Sequence, residues 1–131
     1  MDKIKALVVD DEASVCEAMK AILEIEGIDV VTTTSSVGAV DIVRKNTFDL
    51  IVSDLKMPFM DGFQFYEKVR EIDTDSVFII ITAFGTIPSA VDAIKKGVYD
   101  YIPKPFTPDE VRIPIRRALE KKRLEQALRL H

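Results

Sequence analysis

Five short apolar segments set the frame for this chain: residues 4–9 (IKALVV), 28–33 (IDVVTT), 49–53 (DLIVS), 77–82 (VFIIIT) and 99–102 (YDYI). Three of them run through Val, Ile, Leu and Phe almost without a polar interruption. A strand with one wet face alternates between polar and apolar; a strand covered on both faces does not. The segments therefore read as strands of a parallel sheet with helices on both sides.

The stretches between them carry helical periodicity. The first places Val15, Met19 and Ile22 on one face, with Ala18 and Ile25 beside them and Gly27 as a stop. The second spans about 36–46, with Val37, Val40 and Val43 inward. The third follows "MDG" and sets Phe63, Tyr66 and Val69 at helical spacing. The fourth starts near Pro88, carries Ile87, Val91 and Ile94, and stops at Gly97. The fifth opens on "TPDE", with Thr107 as N-cap, Pro108 at N1 and Glu110 at N3, a capping box. The sum is an α/β chain of the (βα)₅ type. Right-handed crossovers make it a doubly wound five-stranded parallel sheet.

The last helical pattern is long. Pro114 lies inside it, where a missing N–H and a crowded preceding turn cost about 3 kcal/mol, so a kink is expected near 110–114. Beyond it, Ile115, Ala118 and Leu119 share one face. Leu124, Ala127 and Leu128 share another, and the charged run "EKKR" (120–123) separates the two. A 20-residue helix reaches about 30 Å, so this one overruns the domain. Residues 1–120 form the expected domain and 121–131 a helical extension. The second stripe is either a fraying tail or a surface for a partner, a second copy of the chain included.

Composition narrows the class. The 131 residues are 47% hydrophobic and 31% charged, as in one globular domain. No apolar run approaches the ~18 residues of a membrane helix. Acids stand where a secretory leader would have its apolar core, which points to the cytoplasm. Cys16 is the single cysteine, so no intrachain disulfide can form, and its apolar neighbours make it core. Up to residue 108 there are 18 acids against 11 bases, and beyond it 4 against 7. An acidic body speaks against nucleic-acid binding by this domain.

In an open parallel sheet, ligands bind beyond the carboxyl ends of the strands. Strand 1 ends in Asp10, Asp11 and Glu12, strand 3 in Asp54, and strand 4 in Thr82 and Ala83; Lys104 follows strand 5. With strand order 2-1-3-4-5, these residues meet at one patch. Singly, each has a plain alternative: Asp10 or Asp11 as a helix cap, Asp54 as a turn acid, Thr82 as a cap, Lys104 as a surface charge. Together, the alternatives do not explain three carboxylates at one spot, where mutual repulsion disfavours ionisation. Clustered oxygen ligands suit Mg²⁺, and a lysine with a hydroxyl suits phosphoryl oxygens. The only histidine is His131 at the chain end, and no glycine-rich phosphate loop follows strand 1.

The motifs "VVDDE", "VSDLKMPFMDG", "IITAFG" and "YIPKPF", in this order, resemble the receiver domain of two-component response regulators over residues 3–120. "TAFGT", "KKGVYDYIPKPF" and the long basic last helix are most similar to receivers of enhancer-binding transcription activators. The resemblance implies a flavodoxin-like sheet and a role for each site residue. Asp54 is then the phosphoacceptor for a sensor histidine kinase. Mg²⁺ is held by Asp11, Asp54 and the carbonyl of Lys56, with Asp10 acting directly or through a water. Thr82, the Ala83 N–H and Lys104 bind the phosphoryl group. Thr82 and Tyr101 act as switch residues, and the Lys104–Pro105 bond is cis. The output is read from the face of helix 4, strand 5 and helix 5, with a homodimer through that face or through the last helix. Phe84 and the charged Lys56 border the route of a hydrolysing water. Two rivals stand beside this reading: a Mg²⁺-dependent phosphatase, which would want an acid at position 56, and a receiver-like module that works unphosphorylated.

Overall fold

The computed structural model describes residues 3–83 and 87–129. Expectations placed on Phe84, the Ile87 side chain and His131 lie outside the described residues. Five strands, β1 (Lys5–Val9), β2 (Asp29–Thr33), β3 (Leu50–Asp54), β4 (Val77–Ala83) and β5 (Asp100–Lys104), alternate with five helices. The helices are α1 (Ala13–Ile25), α2 (Ser36–Lys45), α3 (Gly62–Ile72), α4 (Ile87–Lys95) and α5 (Pro108–Arg129). Every pairing is parallel and the order is β2-β1-β3-β4-β5, as the sequence pattern predicts.

The unbroken apolar runs have a direct cause. Successive strand residues point to opposite faces, and here both faces are covered. Ala6, Val8, Leu50, Val52, Ile79 and Ile81 pack against α1 and α5. Leu7, Val9, Ile51, Phe78 and Ile80 pack against α2, α3 and α4. On that second side Phe78 meets Phe65 and Tyr66, with ring centroids 5.7 and 5.1 Å apart.

The helix faces are rotated from the sequence expectation. In α1 the buried residues are Cys16, Met19 and Leu23; Val15 and Ile22 lie at the margin and Ile25 is exposed. In α2, Val37 is exposed, while Ala39 joins Val40 and Val43 inside. In α3, Phe65 goes into the core and Phe63 packs at its edge. In α4, Ala90 and Ala93 are buried and Val91 is exposed. In α2 and α4 the small residues Ala39, Ala90 and Ala93 win because they let a helix backbone come close to the sheet, which leaves Val37 and Val91 at the surface.

Helix α5 starts with the expected box: Glu110 Oε1 accepts from the Thr107 N–H at 3.1 Å and the Glu110 N–H reaches Thr107 Oγ1 at 3.3 Å. It continues through Pro114 as one helix. The carbonyl that Pro114 cannot bond belongs to Glu110, an exposed residue that water can reach. Val111, Ile115, Ala118 and Leu119 seal the α1 side, and Leu124 and Leu128 remain exposed. Lys122, within the charged run "EKKR", is buried. It is only 4% exposed, and its Nζ donates to the Asp75 carbonyl at 2.6 Å and to Glu125 at 3.2 Å. Its aliphatic stem packs against the domain while the ammonium reaches a loop carbonyl.

Candidate functional site

Sheet register brings the polar strand ends together. Val9 lies opposite Ser53, Asp54 opposite Ile81, Thr82 opposite Pro103 and Ala83 opposite Lys104. Lys104 is the last residue of β5 rather than a residue after it, because the backbone ladder outlasts the apolar pattern. Pro103 is tolerated there because β5 is an edge strand.

Asp10 is fully buried just past β1. Its Oδ1 accepts from the Glu12 N–H at 2.9 Å, so it shapes the turn into α1 instead of capping the helix, whose N-cap is Glu12. Its Oδ2 pairs with Lys104 Nζ at 2.8 Å. Asp54 is 6% exposed; its Oδ1 accepts from the Leu55 N–H at 2.8 Å and its Oδ2 from Lys104 Nζ at 3.2 Å. Glu12 stands 3.6 Å from the same ammonium. Asp11 is exposed at the mouth, and one oxygen each from Asp10, Asp11 and Asp54 can gather within 4.8 Å. Thr82 is fully buried, with its Oγ1 3.2 Å from the Ala83 carbonyl.

The electrostatics follow from crowding in a poorly solvated place. Burial first, then the neighbouring Asp10 charge, pushes the Asp54 carboxyl up to about 6 against the opposing pull of Lys104. Burial raises Asp10 as well, and Lys104 and the Glu12 N–H only partly oppose it. Burial alone would lower Lys104, but its hydrogen bond to Asp10 and the Asp54 charge outweigh that and raise it. One lysine thus serves three carboxylates, Asp10, Glu12 and Asp54, while Asp11 stands beside them. An all-oxygen donor set that gathers more negative charge than one lysine can balance fits a hard divalent cation.

The remaining expected residues come from the loop after β3 and from β5 and its end. Lys56 is exposed in the β3–α3 loop, Tyr101 is half-buried against the α2–α4 side of the core, and the Lys104–Pro105 bond is cis. Gly62 escaped the sequence reading. A Cβ there would overlap the Asp54 carbonyl and crowd Leu55, so only glycine lets α3 begin against the end of β3. The signal was present as "DG" opening a helix, but its reason is a tertiary contact.

The chain matches the response regulator receiver domain family over residues 6–116. It is 38% identical to the C4-dicarboxylate transport transcriptional regulatory protein DctD of Rhizobium meliloti, over 88% of this chain and 25% of that protein. It is 34% identical to the transcriptional regulatory protein ZraR of Escherichia coli, over 90% of this chain and 27% of that one. The chain therefore spans about a quarter of the length of these regulators. Among solved structures, a receiver domain protein from Clostridium thermocellum superposes with a TM-score of 0.85 at 33% identity, covering 92% of this chain and 98% of that one. The beryllofluoride-activated NtrC4 receiver domain dimer gives 0.82 at 39% identity, covering 89% and 97%. Sequence, strand order and acid cluster converge on one conclusion: the chain belongs to the response regulator receiver domain family.

Proposed function

We propose that this chain is a phosphorylation-controlled switch in the cytoplasm, with Asp54 as the phosphoacceptor and a sensor histidine kinase as the donor. The observation that carries the reading is the Asp10–Lys104–Asp54 bridge, with Asp10, Asp11 and Asp54 each able to turn an oxygen toward one shared point. In the reaction, an Asp54 oxygen forms a bond to phosphorus while the phosphorus–nitrogen bond of a phosphohistidine breaks. The imidazole leaves with the electron pair of that bond. Asp10, Asp11, Asp54 and the Lys56 carbonyl would hold Mg²⁺, which supplies charge neutralisation for the phosphoryl oxygens. Lys104 exchanges its Asp54 contact for a phosphoryl oxygen, and Thr82 Oγ1 and the Ala83 N–H donate to the others. Water later cleaves the acyl phosphate, so the chain resets without turning over an external substrate.

The donor docks beside the site. A groove of about 360 Å³ between α1 and the β5–α5 loop is lined by Val15, Ala18, Pro105 and Phe106, with Glu12 and Lys104 at its end. The phosphoryl group adds about −1.5 to −2 charges. It biases the chain only through contacts that differ between two conformations, and Thr82 and Tyr101 are the residues that carry this bias to the α4–β5–α5 face. The output is control of transcription, as the regulators matched by the chain have that role in their names. Exposed Leu124 and Leu128 on α5, or the α4–β5–α5 face, would pair two copies.

Incubation with acetyl phosphate and Mg²⁺, followed by intact mass measurement, tests the reading. The expected result is a gain of one phosphate that requires Mg²⁺ and disappears in Asp54→Asn. A gain that persists in Asp54→Asn overturns the assignment, and Mg²⁺ binding without any gain favours a module that acts unphosphorylated.

A further inference from the structure

The loop joining β3 to α3 carries Lys56 and a strained backbone. Phe59 has φ of 69°, in the left-handed region that a bulky residue rarely adopts. Its ring is 99% exposed, so packing of that ring does not hold the conformation. Met57 and Met60 pack against the core on either side of it, and hydrogen bonds fix the backbone of the loop. The Leu55 N–H reaches the Ile81 carbonyl at 3.0 Å, the Gly62 N–H reaches the Leu55 carbonyl at 2.7 Å, and the Met60 N–H reaches the Pro58 carbonyl at 2.8 Å. The remaining tie crosses from another element: Ser36 Oγ donates to the Met60 carbonyl at 2.7 Å.

Ser36 is not needed where it stands as a helix cap. Ser35 caps α2, accepting from the Gly38 N–H at 3.0 Å. Ser36, the next residue, is only 3% exposed and spends its hydroxyl on a loop carbonyl 24 residues away. That carbonyl is one residue past the strained Phe59 and four past Lys56. Without the hydroxyl, the loop could relax to an unstrained Phe59 and carry Lys56 away from the end of β3.

We propose that Ser36 is a positioning residue of the phosphorylation site: its hydrogen bond to Met60 holds the β3–α3 loop in the strained form that keeps Lys56 beside the acid cluster. The proposal rests on the reading that the Lys56 carbonyl is a Mg²⁺ ligand. Groups that orient metal ligands typically change affinity about 10–100-fold when removed.

The test is calorimetric titration of the metal-free chain with Mg²⁺, run alongside unfolding measurements. Ser36→Ala is expected to weaken the Mg²⁺ Kd about tenfold. Ser36→Cys, with a weaker donor, is expected to weaken it less. Adding Phe59→Asn to Ser36→Ala should recover part of the loss, because asparagine tolerates positive φ. At saturating Mg²⁺, the phosphorylation rate of Ser36→Ala with acetyl phosphate should return to that of the wild type. A merely structural role would lower unfolding stability and leave the Mg²⁺ Kd unchanged, which overturns the proposal while leaving the site reading intact. A wild-type chain that binds no Mg²⁺ overturns the site reading itself, and this proposal with it. If Ser36→Ala does not fold, Ser36→Cys decides by the same comparison of Kd.

Discussion

Removing the charge of Asp54 should stabilise the metal-free protein. The folded chain holds the Asp54 proton up to about pH 6, whereas the ordinary carboxyl releases it near 3.8. The folded state therefore binds more protons than the unfolded state between those values, and stability falls as pH rises through that window. Below it both states are protonated and there is no penalty; above it the penalty is complete. At about 1.4 kcal/mol per pH unit the gap corresponds to about 3 kcal/mol. Solvent at the mouth of the site screens part of this, so about 1–2 kcal/mol is the expected effect. Asp54→Asn keeps the shape and removes the charge, and Lys104 keeps Asp10 as a partner at 2.8 Å. Urea unfolding in a chelator from pH 4 to 8 should show the variant more stable than wild type by about 1–2 kcal/mol above pH 6.5, with the difference shrinking toward pH 4. A variant that is less stable at pH 7, or a difference that does not change with pH, refutes the reasoning.

Other perturbations separate the metal, the loop and the tail. Mg²⁺ at 100 times its Kd should stabilise the wild type by about 2.7 kcal/mol, read as a rise in Tm that is much reduced in Asp54→Asn. Gly62→Ala should destabilise by about 1–3 kcal/mol in urea unfolding and weaken Mg²⁺ binding, because its Cβ meets backbone of Asp54 and Leu55 that has little room to move. Lys122→Met should lose about 1–2 kcal/mol through the Asp75 carbonyl it leaves without that donor, while acetyl phosphate labelling of Asp54 proceeds at the wild-type rate.

The fold and the acid cluster were legible because both depend on strand order. Continuous runs such as VFIIIT announce a strand buried on two faces, and strand ends fix where Asp10, Asp54, Thr82 and Lys104 meet. The helix faces were less legible. Hydrophobicity favours Val37 and Val91, but close packing against the sheet selects Ala39, Ala90 and Ala93. Lys122 and Ser36 were invisible for a different reason. Each is explained by a carbonyl far along the chain, Asp75 and Met60, and no local pattern encodes such a pairing.

The raised Asp54 carboxyl also bears on how the proposed switch is gated. Four carboxylates, Asp10, Asp11, Glu12 and Asp54, gather about one lysine, so the site carries excess negative charge before any reaction. A phosphoryl group would add about −1.5 to −2 more. Lys104 can oppose only part of that, since its ammonium already spans Asp10 and Asp54 at 2.8 and 3.2 Å. In the proposed switch, phosphoryl transfer to Asp54 would then be unfavourable unless a cation entered first, and the Asp10, Asp11 and Asp54 oxygens would hold it. The arrangement that destabilises the metal-free fold would thus be the one that makes acceptance of the phosphoryl group depend on the cation in the proposed switch. Weakening that excess by Asp11→Asn should accordingly lower Mg²⁺ affinity and ease the stability penalty together. An Asp11→Asn chain that binds Mg²⁺ as tightly as wild type would remove Asp11 from the gate.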